Sequence, residues 1–302
     1  MPKLPAVSLL LFATFLFGAS NVAQKAVFAD LDAWSSLGFR GLFALLALLP
    51  FAVMETRKAD HNTAQVIKAA RPVMLWFFCG MTFQLLGAAQ TSATNVGFLI
   101  NTCVIFTPFM SWMLSGSKPS VAVCLSSLLC FAGVALLSGG APQSFGWGDA
   151  FCLLSAICYS AWIVALGKTM RSVKAPLLVT ALQWAAPAAI GLILGAGNYT
   201  LQSVTVQLPN LLFLGVVVSG FGFVLAAKAQ EKLPSCTAAV CYSAEAVFGA
   251  VLAYAWFAET LGPVALAGAV LTLASIVLVQ CTPCLLSQAA KPAMLRIEPR
   301  FA

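Results

Sequence analysis

Lys and Arg fall in alternate gaps between the long apolar stretches of this 302-residue chain, with two exceptions. Fourteen of the sixteen follow the rule. Moving Lys and Arg across a bilayer is costly, so they collect in cytoplasmic loops. The pattern therefore specifies a many-pass membrane protein and an orientation. The exceptions, Lys25 and Arg40, lie inside apolar stretches, where an ionisable group marks a functional site by default.

A spanning helix needs about 20 mainly apolar residues. Ten stretches qualify: 5–28, 34–54, 72–90, 94–115, 120–138, 147–167, 175–196, 209–228, 235–257 and 262–281. Lys3 precedes the first. Arg57, Lys58, Lys68 and Arg71 follow the second, and Lys118 follows the fourth. Lys168, Arg171 and Lys174 follow the sixth, Lys228 and Lys232 flank the gap after the eighth, and Lys291, Arg296 and Arg300 lie in the tail. The other gaps hold Asp30, Asp32, Asp149 and Glu259 instead. Both termini are thus expected in the cytoplasm. Pro72, Pro119, Pro209, Pro234 and Pro263 are expected at or near span starts, where proline is tolerated. The first apolar run continues into Asn21, Gln24 and Lys25 with no convincing cleavage site, so it reads as a retained helix.

Five spans per half make the second half enter from the opposite side. The expected fold is an all-α integral membrane protein of ten transmembrane helices, arranged as two inverted five-helix repeats, N-in and C-in. The expected division is a first repeat at 1–138, a second at 139–285 and a cytoplasmic tail at 286–302, with Gly133 and Gly268 each in the last span of a half. Inverted repeats of this kind place a substrate site near the midplane, between the halves.

Composition narrows the function. The chain is 61% hydrophobic and 8% charged, against roughly 25% charged in soluble domains, so a water-soluble fold is excluded. The net charge of +7 belongs to loop anchors and not to a nucleic-acid surface. Of ten cysteines, Cys79, Cys103, Cys124, Cys130, Cys152, Cys158 and Cys241 read as small hydrophobes. Cys281 and Cys284 have Cys-x-x-Cys spacing, but no second pair accompanies them and the sole histidine, His61, is distant. No metal, redox group or other cofactor is expected. The chain has no Walker loop, zinc spacing, nucleophile elbow or Asp-rich motif. The 55–71 loop reads as short, basic and without a catalytic role.

Several short patterns carry a resemblance. Phe17-Gly18-Ala19-Ser20-Asn21-Val22-Ala23-Gln24-Lys25 resembles the first-helix pattern of the EamA family in the drug/metabolite transporter superfamily. Gly38-Phe39-Arg40 resembles its second-helix pattern. Thr91-Ser92-Ala93 through Asn95, Phe98-Leu99 and Thr107-Pro108 resemble its fourth helix. Gln230 through Glu245, then Phe257-Ala258-Glu259-Thr260-Leu261, resemble the end of its second half. Phe17 stands for the usual Trp, Ala246 for the Pro after the acid, and Ser117-Lys118 for Gly-Glu. The resemblance implies a ten-helix transporter with a central cavity, moving small metabolites such as amino acids.

The polar residues inside the spans are the candidate site. Gly18, Asn21 and Lys25 share one helix face. Lys25 can snorkel to the outer interface and pair with Asp30 or Asp32, or face a cavity and meet an anionic substrate group. Arg40 lies about six residues into its span, roughly 9 Å deep. A central Arg costs at least ~2.5 kcal/mol on insertion scales, so it needs a cavity or a partner. That partner is an outer-loop carboxylate or a substrate carboxylate or phosphate. Glu245 is the one acidic residue deep in a span. It can bind a substrate ammonium, carry a coupling proton, or join two helices as a neutral acid. Thr94, Phe98, Asn101, Ile105 and Pro108 follow a helical face, and Pro108 can free local backbone groups. Gln84, Tyr159, Gln183, Trp184 and Tyr242 complete the lining, although such residues also serve as interhelical glue. Trp76 and Trp112 read as interfacial anchors. Gly215, Gly220, Gly222, Gly249 and Gly268 allow close packing or hinge motion.

The leading reading is a secondary active transporter of amino acids or related zwitterions, working by alternating access and proton-coupled through Glu245. Its partners are a small-molecule substrate and the bilayer, without nucleic acid, as a monomer or homodimer in a bacterial inner membrane. One alternative is an importer of another metabolite, such as a nucleoside-containing compound stacked on the aromatic lining. Another is a membrane enzyme acting on lipid, which would need polar residues clustered near an interface.

Overall fold

The computed structural model describes residues 4–58, 63–116, 118–139, 145–257 and 262–289, all helical or connecting. Lys3, His61, most of the stretch between the halves, the Ala258–Leu261 motif and nearly all of the tail lie outside them. The helices are α1 (Leu4–Val27), α2 (Ala33–Lys58), α3 (Thr63–Ala88), α4 (Ala93–Asn101), α5 (Cys103–Ser115), α6 (Val121–Leu137) and α7 (Trp147–Val173). There follow α8 (Pro176–Leu194), α9 (Leu201–Leu212), a π-helical segment (Phe213–Gly222), α10 (Phe223–Gln230), α11 (Ser235–Tyr242), α12 (Ala244–Phe257) and α13 (Pro263–Ala289). Among the described residues nine helical stretches are long and apolar enough to cross a membrane, and α6, with 17 residues, is a shorter tenth.

Two helices start earlier than the apolar stretches indicate. Pro72 lies inside α3 and Pro209 inside α9 rather than at a span start. The first turns of α3 carry Gln65, Lys68 and Arg71. These polar turns extend the helix beyond its apolar part, so most of the expected 55–71 loop is helix. A proline inside a helix removes one N–H and crowds the carbonyl four residues back. After Pro209 the chain continues in α form to Leu212 and then widens into the π segment. At the far end α13 continues past residue 281 to Ala289.

The acids of the short loops cap helices. Asp32 accepts from Trp34 N at 3.0 Å at the start of α2. Asp149 accepts from Gly146 N at 2.9 Å at the start of α7, and its other oxygen takes Thr91 Oγ1 at 2.7 Å and Asn95 Nδ2 at 3.3 Å. Carboxylates suit helix N-termini, where backbone N–H groups lack partners. Glu55 does the same between helices: from α2 it accepts from Leu178 N at 2.9 Å, in the first turn of α8. Asp30 accepts from Gln207.

Two spans are broken at matching places. One breaks between α4 and α5 at Thr102, whose N bonds Leu99 O at 3.1 Å, a tight three-residue step. The other breaks between α11 and α12 at Ser243, where Ala246 N reaches Ser243 O at 3.2 Å. Hydroxyls close both breaks: Thr102 Oγ1 donates to Leu99 O at 2.5 Å and Ser243 Oγ to Ala239 O at 3.4 Å. Ser160 of α7 and Thr107 both donate to the Cys103 carbonyl, at 3.0 and 2.7 Å. Non-helical backbone at membrane depth requires such internal partners.

Helix contacts run through small residues. A Cβ on Gly38 of α2 would lie 2.5 Å from Leu192 N and 2.7 Å from the Gly191 carbonyl carbon of α8. A Cβ on Gly133 of α6 would lie 2.5 Å from Thr272 Oγ1 and 2.7 Å from Thr272 N of α13. Gly87 and Gly148 bring α3 and α7 together at one end, and Thr169 Oγ1 bonds Ala69 O at 3.0 Å nearer the other. Gly38→Ala is expected to cost about 1–3 kcal/mol through overpacking against backbone. Gly97, with nothing within 4 Å of its would-be Cβ, is the comparison. Thermal unfolding in detergent should show a lowered midpoint for Gly38→Ala and none for Gly97→Ala.

Candidate functional site

Arg40 comes from the second turn of α2 and points into the bundle. Its Nε donates to Ser219 Oγ of the π segment at 2.6 Å, and its guanidinium carbon lies 5.3 Å from the Trp184 ring centroid. A guanidinium over an indole is attracted by the ring quadrupole. The acids of the α1–α2 loop, Asp30 and Asp32, are engaged by Gln207 and by the α2 start, as described above. The acid within electrostatic range of Arg40 is Glu245, together with the Tyr159 hydroxyl.

Glu245 stands in the first turn of α12, directly after the Ser243 break. The Asn21 side chain of α1 lies beside its carboxyl group. Gly18 makes this approach possible: a Cβ there would lie 2.8 Å from Gly249 N and 3.1 Å from Glu245 O. The Gly18/Asn21 face of α1 is thus a contact surface for α12. Lys25, in the last turn of α1, is exposed.

An aromatic cluster joins six helices. Phe77 of α3 lies 5.0 Å from Trp184 of α8 and 5.7 Å from Trp162 of α7, centroid to centroid. Phe223 of α10 is 5.4 Å from both Phe77 and Trp184, and 4.7 Å from Phe17 of α1. Tyr242, at the end of α11, lies 5.8 Å from Trp162. Two polar tips are paired: Trp162 Nε1 donates to Gln183 Oε1 at 3.0 Å, and Gln230 Nε2 to Tyr242 OH at 3.0 Å.

The structure separates the expected site residues into two groups. Arg40, Gln84, Asn101, Tyr159 and Glu245 are half-buried, and Asn21 is exposed. Tyr159 OH donates to Gln84 Oε1 at 2.6 Å, and Asn101 Nδ2 to Gly97 O at 2.8 Å, at the α4–α5 break. Gln183 and Trp184 are 1% and 0% exposed and Tyr242 is 8% exposed, so these three sit within the aromatic cluster. A cleft of about 240 Å³ lies at the α1–α2 turn and the end of α3, lined by Phe28, Leu31, Asp32, Leu85 and Ala88 among others. It is about two helical turns from Arg40 along α2.

Sequence reasoning missed Ser219, Phe77, Trp162 and Phe223. Ser219 lies in a Gly-rich apolar run, where one hydroxyl carries no signal. The two Phe are among 22 in the chain, and which ones meet is a matter of helix packing. Gln183→Leu is expected to cost about 1–3 kcal/mol, since it leaves the buried Trp162 N–H without an acceptor. Gln90→Leu should cost nothing comparable, because exposed Gln90 bonds only its own helix at Leu86 O. Thermal unfolding of the two variants separates these outcomes.

Residues 4–139 and 146–281 each match the EamA-like transporter family. A similar protein is an uncharacterized transporter of Archaeoglobus fulgidus, 30% identical over 207 residues covering 67% of this chain. The alignment spans 65% of that relative's length. A solved crystal structure superposes with a TM-score of 0.76 over 96% of this chain and all of that one, at 14% identity, which speaks to the fold alone.

Proposed function

Because the chain belongs to the EamA-like transporter family, with two EamA repeats, we propose that it is a secondary active transporter of amino acids or related zwitterions. A multi-pass membrane transporter is what the family establishes, and the family is not one of enzymes. The substrate is our inference. One observation carries it: a guanidinium and a carboxyl group stand in electrostatic range, Arg40 held by Ser219 and Glu245 with Asn21 beside it. Arg40 takes the substrate carboxylate and Glu245 the ammonium, with Asn21, Lys25, Gln84, Asn101 and Tyr159 around them. Gln183, Trp184 and Tyr242 form the base of the site.

Two further features favour this placement. The broken spans, at Thr102 and Ser243, occupy corresponding positions in the two matched regions. Discontinuous helices at matching positions point to the binding site of a transporter built from repeats. Gln230, Leu233 and Met170 are fully buried, and we read them as closing one end, with the half-buried group toward the other. We read the repeats as inverted, with residues 1–138 and 139–285 as the halves, a cytoplasmic tail at 286–302 and both termini inside. On that reading the half-buried group opens outward from a bacterial inner membrane. The stacked-base alternative loses support, because the aromatic faces are packed on one another.

Purified protein in proteoliposomes should move at least one labelled L-amino acid in counterflow; a full panel that neither moves nor competes sinks the substrate claim. Glu245→Gln should abolish accumulation driven by an imposed pH gradient and, by removing the ammonium's counter-charge, weaken exchange as well. Unchanged pH-gradient drive in that variant removes Glu245 as the proton carrier. For sidedness, Asn198→Cys should react with an impermeant maleimide outside intact cells above the wild-type background, and Lys174→Cys should not.

A further inference from the structure

Arg40 has one hydrogen bond among the described residues, and it uses Nε. The two terminal amino groups are left for an end-on grip on two anionic oxygens. The acceptor, Ser219 Oγ, is on a side chain with 0% exposure. It is supplied by the π segment, not by a regular helix. Gly215 seats that segment on α2: a Cβ there would lie 2.5 Å from Phe43 Cβ and 2.9 Å from Arg40 O. π-helical segments recur at functional sites. The Trp184 indole under the guanidinium is also fully buried, and its N–H has no acceptor among the described residues. Arg40 and Trp184 can only donate, so the group that completes this corner must accept.

We propose that Ser219 is the positioning residue of the anion site, presented by the π segment to fix Arg40 over Trp184 with its two terminal amino groups free. The inference rests on the reading of Arg40 as the substrate-carboxylate site. Without the Ser219 acceptor the guanidinium is free to turn about its long side chain, and the end-on grip is lost although the charge remains. A purely structural hydroxyl would affect stability and leave anion binding unchanged.

The test uses full-length protein in lipid nanodiscs and sodium acetate as the probe. Phenylglyoxal adducts at Arg40 are counted by peptide mass spectrometry across an acetate titration. Acetate should protect Arg40 in the wild type. In Ser219→Ala the half-protecting concentration should rise at least about tenfold, the loss expected for a hydrogen bond to a charged group. Ser219→Thr keeps the acceptor and should protect like the wild type. Ser219→Cys, close in size but a weak acceptor, should behave like the alanine variant, and it decides the matter if the latter fails to fold. Unchanged protection in the Ala and Cys variants overturns the positioning role and leaves the anion site standing. No protection in the wild type overturns the anion site, and the inference with it.

Discussion

Apolar side chains gain little by leaving lipid for another helix, so helices in a bilayer associate through close backbone packing and hydrogen bonds. In this chain that closeness comes from glycine. Gly38 meets Gly191 and Leu192, Gly133 meets Thr272 and Gly268, and Gly18 meets Gly249. Each contact fixes how far apart two helices stand, and every polar pairing in the interior depends on those distances. Asn21 reaches Glu245 because Gly18 admits α12. Ser219 reaches Arg40 because Gly215 lets the π segment rest on α2.

The polar interior is arranged to avoid stranding a charge. An arginine in a span needs a partner, and here it has a hydroxyl at 2.6 Å and an indole face. Neither neutralises it, so its charge remains available to an anionic ligand. Glu245 sits where the helix is interrupted, and its neighbour Asn21 is neutral. A guanidinium and a carboxyl group are thereby held near each other beside neutral groups. On that arrangement rests the proposal of a ligand bearing both signs.

Much of the fold was legible in the sequence. Long apolar stretches gave the spans, and the family resemblance at Arg40 and Glu245 named residues that the fold places half-buried within the bundle, with Asn21 exposed beside them. The starts of α3 and α9 were not legible. Their polar first turns resemble a loop in composition, and Pro72 and Pro209 resemble helix starts. The role of Asp32 and Asp149 as helix caps was also hidden, because a loop acid has the same letter whether or not N–H groups point at it.

The sequence by itself determined that this chain crosses a membrane many times and carries Lys25, Arg40 and Glu245 within its apolar stretches. Hydrophobicity and charge act locally and leave a one-dimensional record. Only the tertiary structure decided that Arg40 lies on Trp184 and bonds Ser219, 179 residues away, while Lys25 is exposed at the end of α1. It also decided that Gln183 bonds Trp162 inside an aromatic cluster. Contacts of this kind depend on helix rotation and spacing, set by glycines and by the π segment, and no local pattern in the chain encodes them.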